Sequence, residues 1–242
     1  MHVFAFLPDA LFVDTALITS PLLASIPGIR HGFGSLAAPI PPVLLEHWLR
    51  RPDKKQVHGD QVAQVTHVQQ ACGDVDGVYS ALPDIPISII TADCVPILLA
   101  RRDGKKIAAL HAGWRGLIGG IVDTFWRDLA GQSKDPQDHP SQWVASVGPA
   151  IGACCYEVSP ELAEQFVAHF ASLPAALVLP RERHLDLPAI ARHALLNAGV
   201  GEVDIVRHCT RCSLDAHQSP RLRSYRRGDR GSHQHSGLII LA

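Results

Sequence analysis

Short apolar runs alternate with helically spaced apolar positions through the middle of the chain. Residues 87–91 (Ile-Ser-Ile-Ile-Thr) and 95–100 (Val-Pro-Ile-Leu-Leu-Ala) are β-rich and flank Asp93-Cys94, which predicts two strands. Asp103-Gly104 predicts a hairpin turn into a third strand at 107–111. Leu117, Ile121, Val122, Phe125, Trp126 and Leu129 recur at helical spacing and predict one helix over 116–130, stopped by Gly131. A strand at 144–147 ends in Gly148-Pro149. A helix over 159–170 then starts with Ser159 as N-cap and Pro160 at the first helical position. Another helix is predicted at 187–198, closed by Gly199, with late strands at 203–206 and 238–241. Prolines 39, 41 and 42 and the polar stretch 133–141 read as loops rather than linkers. Helices interleaved with hairpin-linked strands imply a mixed α/β sandwich, not a regular parallel barrel. No repeat interrupts it, so a single domain over 1–242 is expected.

Composition narrows the function classes. Apolar residues make up 47% of the 242 and charged residues 19%, enough to build a sizeable core. The 22 basic and 23 acidic side chains leave a formal net charge of −1, which gives no footprint for nucleic acid or an anionic membrane. No apolar run approaches the roughly 20 residues of a membrane span. The N-terminal stretch 1–20 has no basic leader before its apolar residues, so no signal peptide is expected. Six cysteines in a chain of this length read as reduced thiols, which implies a cytoplasmic protein. Fourteen histidines are an excess that makes a metal site worth seeking.

Three segments place metal-type ligands where turns expose them. His58 precedes Gly59, Cys94 lies between two predicted strands, and His111 opens His-Ala-Gly-Trp-Arg-Gly at a strand-to-helix turn. Two histidines and one thiolate suit zinc, and three protein ligands leave the fourth tetrahedral position open for chemistry. Spacing alone leaves two other readings open. One is a buried free cysteine beside hydrogen-bonded histidines, and the other is a metal-free nucleophile, Cys94, with His111 as its base.

Several strings together resemble one family: Gln56-Val57-His58-Gly59, Ala92-Asp93-Cys94-Val95-Pro96, His111 to Gly116, Gly148-Pro149-Ala150-Ile151-Gly152, Cys154-Cys155-Tyr156-Glu157-Val158, Cys209-Thr210 and Ser224-Tyr225-Arg226-Arg227. In order from about His31 to the C-terminus, they resemble the laccase-domain family, also called the multi-copper polyphenol oxidoreductase or YfiH family. The resemblance implies a four-layer α-β-β-α sandwich and a zinc-dependent purine nucleoside phosphorylase with adenosine deaminase activity. It implies His58, Cys94 and His111 as ligands of Zn2+. Cys94, His111 and Asp93 are the implied catalytic residues, and Arg115, Tyr156, Glu157 and Arg226 would contact substrate. The expected partner is a small molecule, a purine nucleoside with phosphate or water, bound by a monomer or small homo-oligomer. Copper of the blue type fits poorly, because its axial methionine would have to be Met1, the only methionine in the chain.

The resemblance has gaps. Leu36 stands where an arginine associated with phosphate or substrate is expected, and Gly231-Ser232-His233 replaces a Thr-Gly-Arg string. The stretch from Leu36 to Gln56 is shorter than usual and lacks an Asn-Arg helix string. These losses bear on phosphorolysis more than on deamination. Arg115 is read as facing an anionic group or, slightly favoured, pairing with a carboxylate, and Asp93 as a proton carrier or a turn residue. Gly148, Pro149 and Gly152 are read either as offering backbone donors to a ligand or as a plain turn. Cys154 and Cys155 read as two reduced thiols, one of them packed. Cys209-Thr210-Arg211-Cys212 looks like a Cys-x-x-Cys pair that lacks a second pair. Arg221, Arg223, Arg226, Arg227 and Arg230 form a basic run, from which one arginine would serve phosphate. Three other classes stay open: a metal-free cysteine hydrolase, a structural zinc domain with Cys72 or Cys209 as fourth ligand, and a peptidoglycan-precursor amidase.

Overall fold

The computed structural model describes residues 17–231 and 233–242, so the N-terminal stretch as far as residue 16, read above for a leader, and Ser232 lie outside the described residues. The chain runs through α1 (Pro21–Ala24), β1 (Ile29–Phe33), β2 (Asp53–Lys55), β3 (Val62–Val65), β4 (Ala71–Asp74) and β5 (Gly77–Ser80). It continues with β6 (Ile87–Thr91), β7 (Val95–Arg101), β8 (Ile107–Ala112), α2 (Trp114–Gly119), α3 (Ile121–Gln132) and β9 (Trp143–Val147). The last elements are α4 (Pro160–His169), α5 (Ala175–Val178), α6 (Leu187–Asn197), β10 (Glu202–Ile205) and β11 (Gln234–Ile240). A six-stranded sheet has the order β10-β9-β7-β8-β5-β3, a three-stranded sheet the order β1-β11-β6, and β2 pairs with β4.

Strand alternation makes the layers. In β7, Val95, Ile97 and Leu99 join one core while Leu98 and Ala100 join the other. In β8, Ala108, Leu110 and Ala112 likewise face away from Ile107 and Ala109. A strand that presents apolar side chains on both faces must be covered twice. One face packs under α2, α3, α4 and α6 through Leu117, Phe125, Phe166 and Ile190. The other meets the three-stranded sheet through Ile29, Phe33, Ile87, Ile89 and Leu238. Turns of 3-10 helix at Pro42–Leu44 and Trp48–Arg50 lie on the chain between β1 and β2, and Leu44 is buried beside Gly237 of β11. Helices, the larger sheet and the smaller sheet thus stack in α-β-β order, and short 3-10 turns cover the smaller sheet where an outer helical layer was expected.

Most predicted elements lie where the pattern put them. Ser159 caps α4 by accepting from the Leu162 N–H, and Asp186 caps α6 by accepting from the Ala189 N–H at 3.0 Å. The helix predicted over 116–130 is in fact two. Gly120 takes a left-handed conformation (φ 78°) and separates α2 from α3, so the apolar spacing is continuous while the backbone is not. Gly131 lies inside α3, which ends at Gln132 where Ser133 turns extended. The final strand begins at Gln234, earlier than the 238 predicted, because its buried positions there are Gln234 and Ser236.

Candidate metal centre and adjoining cleft

Two turns and the end of strand β8 bring His58, Cys94 and His111 together, and their ligand atoms all lie within 4.8 Å of one another. His111 is placed by the last pairs of the β7–β8 ladder, where it sits opposite Pro96. Cys94 precedes β7, and His58 lies in the loop between β2 and β3 in a left-handed conformation (φ 61°). Gly113 leaves room for the cluster: a Cβ there would come within 3.0 Å of Cys94 Sγ and 3.5 Å of His58 Cδ2. The two imidazole centroids are 4.9 Å apart, edge to face.

The residue that organises this centre was not singled out from sequence. Asp76, fully buried, accepts from the backbone N–H groups of Val57, His58 and Gly59 at 3.1, 3.0 and 2.8 Å. Its Oδ1 also lies 2.7 Å from His111 Nδ1. A carboxylate in that place fixes the proton on Nδ1 and leaves the Nε2 lone pair for a metal. Burial alone would raise the Asp76 pKa, but the hydrogen bond from His111 and the loop N–H groups outweigh it and hold the carboxylate below its ordinary value. His58 is kept below its ordinary value by burial and then by the charges of His111 and Arg115, which suits a neutral ligand. The Cys94 thiol is pushed up to about 12 by burial and by the Asp93 and Asp76 carboxylates. An activated cysteine nucleophile needs the opposite surroundings, whereas a thiolate among carboxylates is stabilised by a divalent cation. The donor set, two imidazole nitrogens and one sulfur with a carboxylate behind one histidine, fits zinc with a position open. Among the described residues neither Cys72 nor Cys209 joins it as a fourth ligand. Cys72 is near Lys54 and Asp53, and Cys209 belongs to another cluster.

Asp93 is buried in a left-handed conformation (φ 94°), and both of its carboxylate oxygens are engaged. Oδ1 accepts from the Thr210 hydroxyl at 2.6 Å and Oδ2 from the Arg226 backbone N–H at 2.7 Å. A cleft of about 640 Å³ is lined by Trp114, Tyr156, Glu157, Leu162, Arg183 and Arg226, among others. None of the three ligands lines this cleft, but Tyr156, which does, is near enough to respond to the charges of Cys94 and Arg115. Burial, then the Cys94 charge, pushes the Tyr156 phenol up to about 12. The Arg226 guanidinium lies 5.1 Å over the Tyr156 ring and donates to the Glu157 carbonyl at 2.8 Å. The Glu157 carboxylate is ion-paired with Arg183. Arg115, for which pairing with a carboxylate was slightly favoured, forms no ion pair among the described residues. It is exposed, and its guanidinium stacks 4.3 Å over Trp114.

The remaining motifs have structural partners. Arg227 donates to the carbonyls of Thr210 and Arg211, both at 3.1 Å, and pairs with Asp229, while Arg230 stacks on Tyr225. Leu36 donates its N–H to the Arg221 carbonyl at 3.0 Å. The donors of the Gly148–Gly152 turn are spent within the fold: the Gly148 N–H goes to the Pro96 carbonyl at 2.8 Å, the Ile151 N–H to the Asp93 carbonyl at 2.9 Å, and the Gly152 N–H points at Cys209 Sγ from 3.3 Å. The Cys209/Cys212 pair, expected to lack a second pair, meets Cys154 and Cys155, and all four sulfurs lie within 4.8 Å of one another. Cys154 and Cys212 are exposed and the other two are partly buried.

The profile of a family described as multi-copper polyphenol oxidoreductase laccase matches residues 49–241. The purine nucleoside phosphorylase YfiH of Shigella flexneri is 36% identical over 157 residues, 64% of this chain and 62% of its own length. The adenosine deaminase RL5 from an unknown prokaryotic organism is 33% identical over 172 residues, covering 65% of this chain and 64% of its own. The chain thus spans less than two thirds of the length of these relatives. Among solved structures, YlmD from Geobacillus stearothermophilus superposes with a TM-score of 0.73 at 26% identity, over 92% of this chain and 94% of that one. The profile takes in His58, Cys94, His111 and the whole cleft, and the fold agrees over 92% of the chain, so this chain belongs to the multi-copper polyphenol oxidoreductase laccase family.

Proposed function

We propose that the chain is a zinc-dependent enzyme of purine nucleosides that deaminates adenosine and phosphorolyses adenosine and inosine, as the names of its relatives suggest. One observation carries the reading. His58, Cys94 and His111 converge as three ligands, one fewer than a closed zinc site uses, near a cleft that has aromatic walls and cationic edges. When bound there, zinc supplies Lewis-acid chemistry toward an oxygen nucleophile or a departing group. The chain's own residues do the rest. Tyr156 and Trp114 offer apolar faces to a base, and Tyr156 keeps its phenol proton to donate to a ring nitrogen. Arg115 and Arg226 face the anionic or polar groups of substrate. Asp93 is a positioning residue: its oxygens are spent on Thr210 and Arg226, which fixes the turn carrying Arg226 next to Cys94. Asp76 orients His111 and the His58 loop.

In deamination, water adds its oxygen to C6 of adenosine and ammonia leaves, giving inosine. In phosphorolysis, phosphate attacks the ribosyl C1′ as the bond to N9 breaks, giving the free base and ribose 1-phosphate. Purified protein of known zinc content, incubated with adenosine with and without phosphate and resolved by chromatography, tests the reading. Inosine is expected in both incubations, and adenine only with phosphate. No product from zinc-loaded protein overturns the proposal.

A further inference from the structure

The four cysteines lie outside the centre just described, and the proposed reaction makes no use of them. Cys154 Sγ and Cys212 Sγ are 3.6 Å apart, and all four sulfurs fall within 4.8 Å of one another. A disulfide needs its sulfurs at about 2.05 Å, so no bond is drawn here, and a bridge between the adjacent Cys154 and Cys155 would be strained. Four sulfurs around one ion at about 2.3 Å stand about 3.8 Å from each other at the corners of a tetrahedron. The observed spacing is near that figure, and it is too tight for the sulfurs to surround a multi-iron cluster.

One of the four sulfurs also has a backbone donor. The Gly152 N–H donates to Cys209 Sγ at 3.3 Å. Such a bond spreads the charge of a thiolate ligand, as other supporting contacts do for metal-bound imidazole. The Arg227 guanidinium holds the carbonyls of Thr210 and Arg211 from outside, so the Cys-x-x-Cys turn is braced in a fixed shape. The Thr210 N–H also bonds to the Ala150 carbonyl at 3.0 Å, which ties that turn to the segment leading into Cys154.

We propose that Cys154, Cys155, Cys209 and Cys212 form a second, closed metal site that holds one zinc-class divalent ion with all four thiolates. The ion joins two segments, one that continues into the cleft and one that is tied to the three-ligand centre. Cys155 is followed by Tyr156 and Glu157, and Thr210, between Cys209 and Cys212, bonds to Asp93 beside Cys94. The site is structural, because four protein ligands leave no position for substrate.

The test is a zinc count per chain on untagged protein, purified from zinc-supplemented cells and gel-filtered, for three proteins. The natural chain is expected to hold two equivalents. Cys94→Ala is expected to hold one, lost from the three-ligand centre. Cys154→Ser with Cys212→Ser, at the two exposed positions, is expected to hold one and to melt at a lower temperature. Cobalt loaded into the Cys94→Ala protein should give the intense sulfur-to-metal bands of a tetrahedral thiolate site. A natural chain with one equivalent, reduced to none by Cys94→Ala, overturns the proposal even if the double variant does not fold. So does an intact mass two hydrogens light in the natively purified protein, which would mark a disulfide. Loss of adenosine turnover in Cys94→Ala bears on the proposed reaction and leaves this count unaffected.

Discussion

The two ligand clusters are built on opposite plans. His58, Cys94 and His111 come from the ends and approaches of sheet strands, and a buried carboxylate, Asp76, sets two of the three. The four cysteines come from two loops, and the donor on one of their sulfurs is the Gly152 backbone N–H. Mixed nitrogen and sulfur donors with a position left open suit chemistry, while four sulfurs with every position filled suit a clasp. Asp76, behind the first cluster, is fully buried, whereas Gly152, whose N–H reaches the second, is only partly buried. Where the supporting polar group lies thus separates the two plans as well as the ligand count does.

Replacing Cys94 by alanine should have the largest effect, lowering adenosine turnover on the order of 10³-fold with loss of one zinc. Turnover and metal content measured on the same sample check it, and near-normal turnover would erase the contrast between a working and a structural cluster. Acid comes next, acting through histidines that belong to neither cluster. His31 and His235 are held at about 4, His31 by burial against the pull of Asp204, and His235 by burial and then the charges of Arg51 and Lys54. The unfolded chain therefore takes up protons first as pH falls. Stability is complete above about pH 6.5 and declines toward pH 4, by up to about 3 kcal/mol for each histidine. Denaturant melts across that range check the slope, and a replacement His31→Asn should flatten part of it.

Asp76→Asn sharpens the comparison, because only one cluster depends on this carboxylate. Zinc affinity at the three-ligand centre should drop by about 10–100-fold with the four-cysteine site unchanged, as read by chelator competition. In the same competition the open centre should give up its metal first. Arg115→Ala should have the smallest effect, a rise in KM of about fivefold with kcat and melting temperature nearly unchanged, since the side chain holds no ion pair in the fold. Steady-state kinetics check that split.

The sequence made some of this visible and hid the rest for physical reasons. Alternating and helical apolar periods located β6 to β9 and α3, α4 and α6, because those segments bury broad apolar faces. Strands such as β2, Asp-Lys-Lys, and β4, Ala-Cys-Gly-Asp, carry no such pattern; backbone pairing alone makes them. The Gly120 break was hidden because apolar spacing continues across it. His58, Cys94 and His111 stood out through their glycine neighbours and family strings. Asp76 did not, because Asp-Gly before a strand reads as a turn and nothing local reports that its carboxylate turns inward. The cysteine cluster was half legible. Cys209-x-x-Cys212 was noticed, but α4, α5, α6 and β10 intervene between it and Cys154-Cys155, so only tertiary structure could complete it.

Asp76 has one more consequence. It grips the loop of His58 and the ring of His111 with a single carboxylate, so both imidazoles are referenced to one fixed point. A displacement of that point carries the two together and leaves their separation unchanged, like a common offset on two readings taken from one datum. Cys94 has no share in this datum, being anchored through Asp93 to Thr210 and Arg226. The adjustable dimension of the centre is therefore the distance from the sulfur to the histidine pair, and drift among related sequences should collect on the Cys94 side.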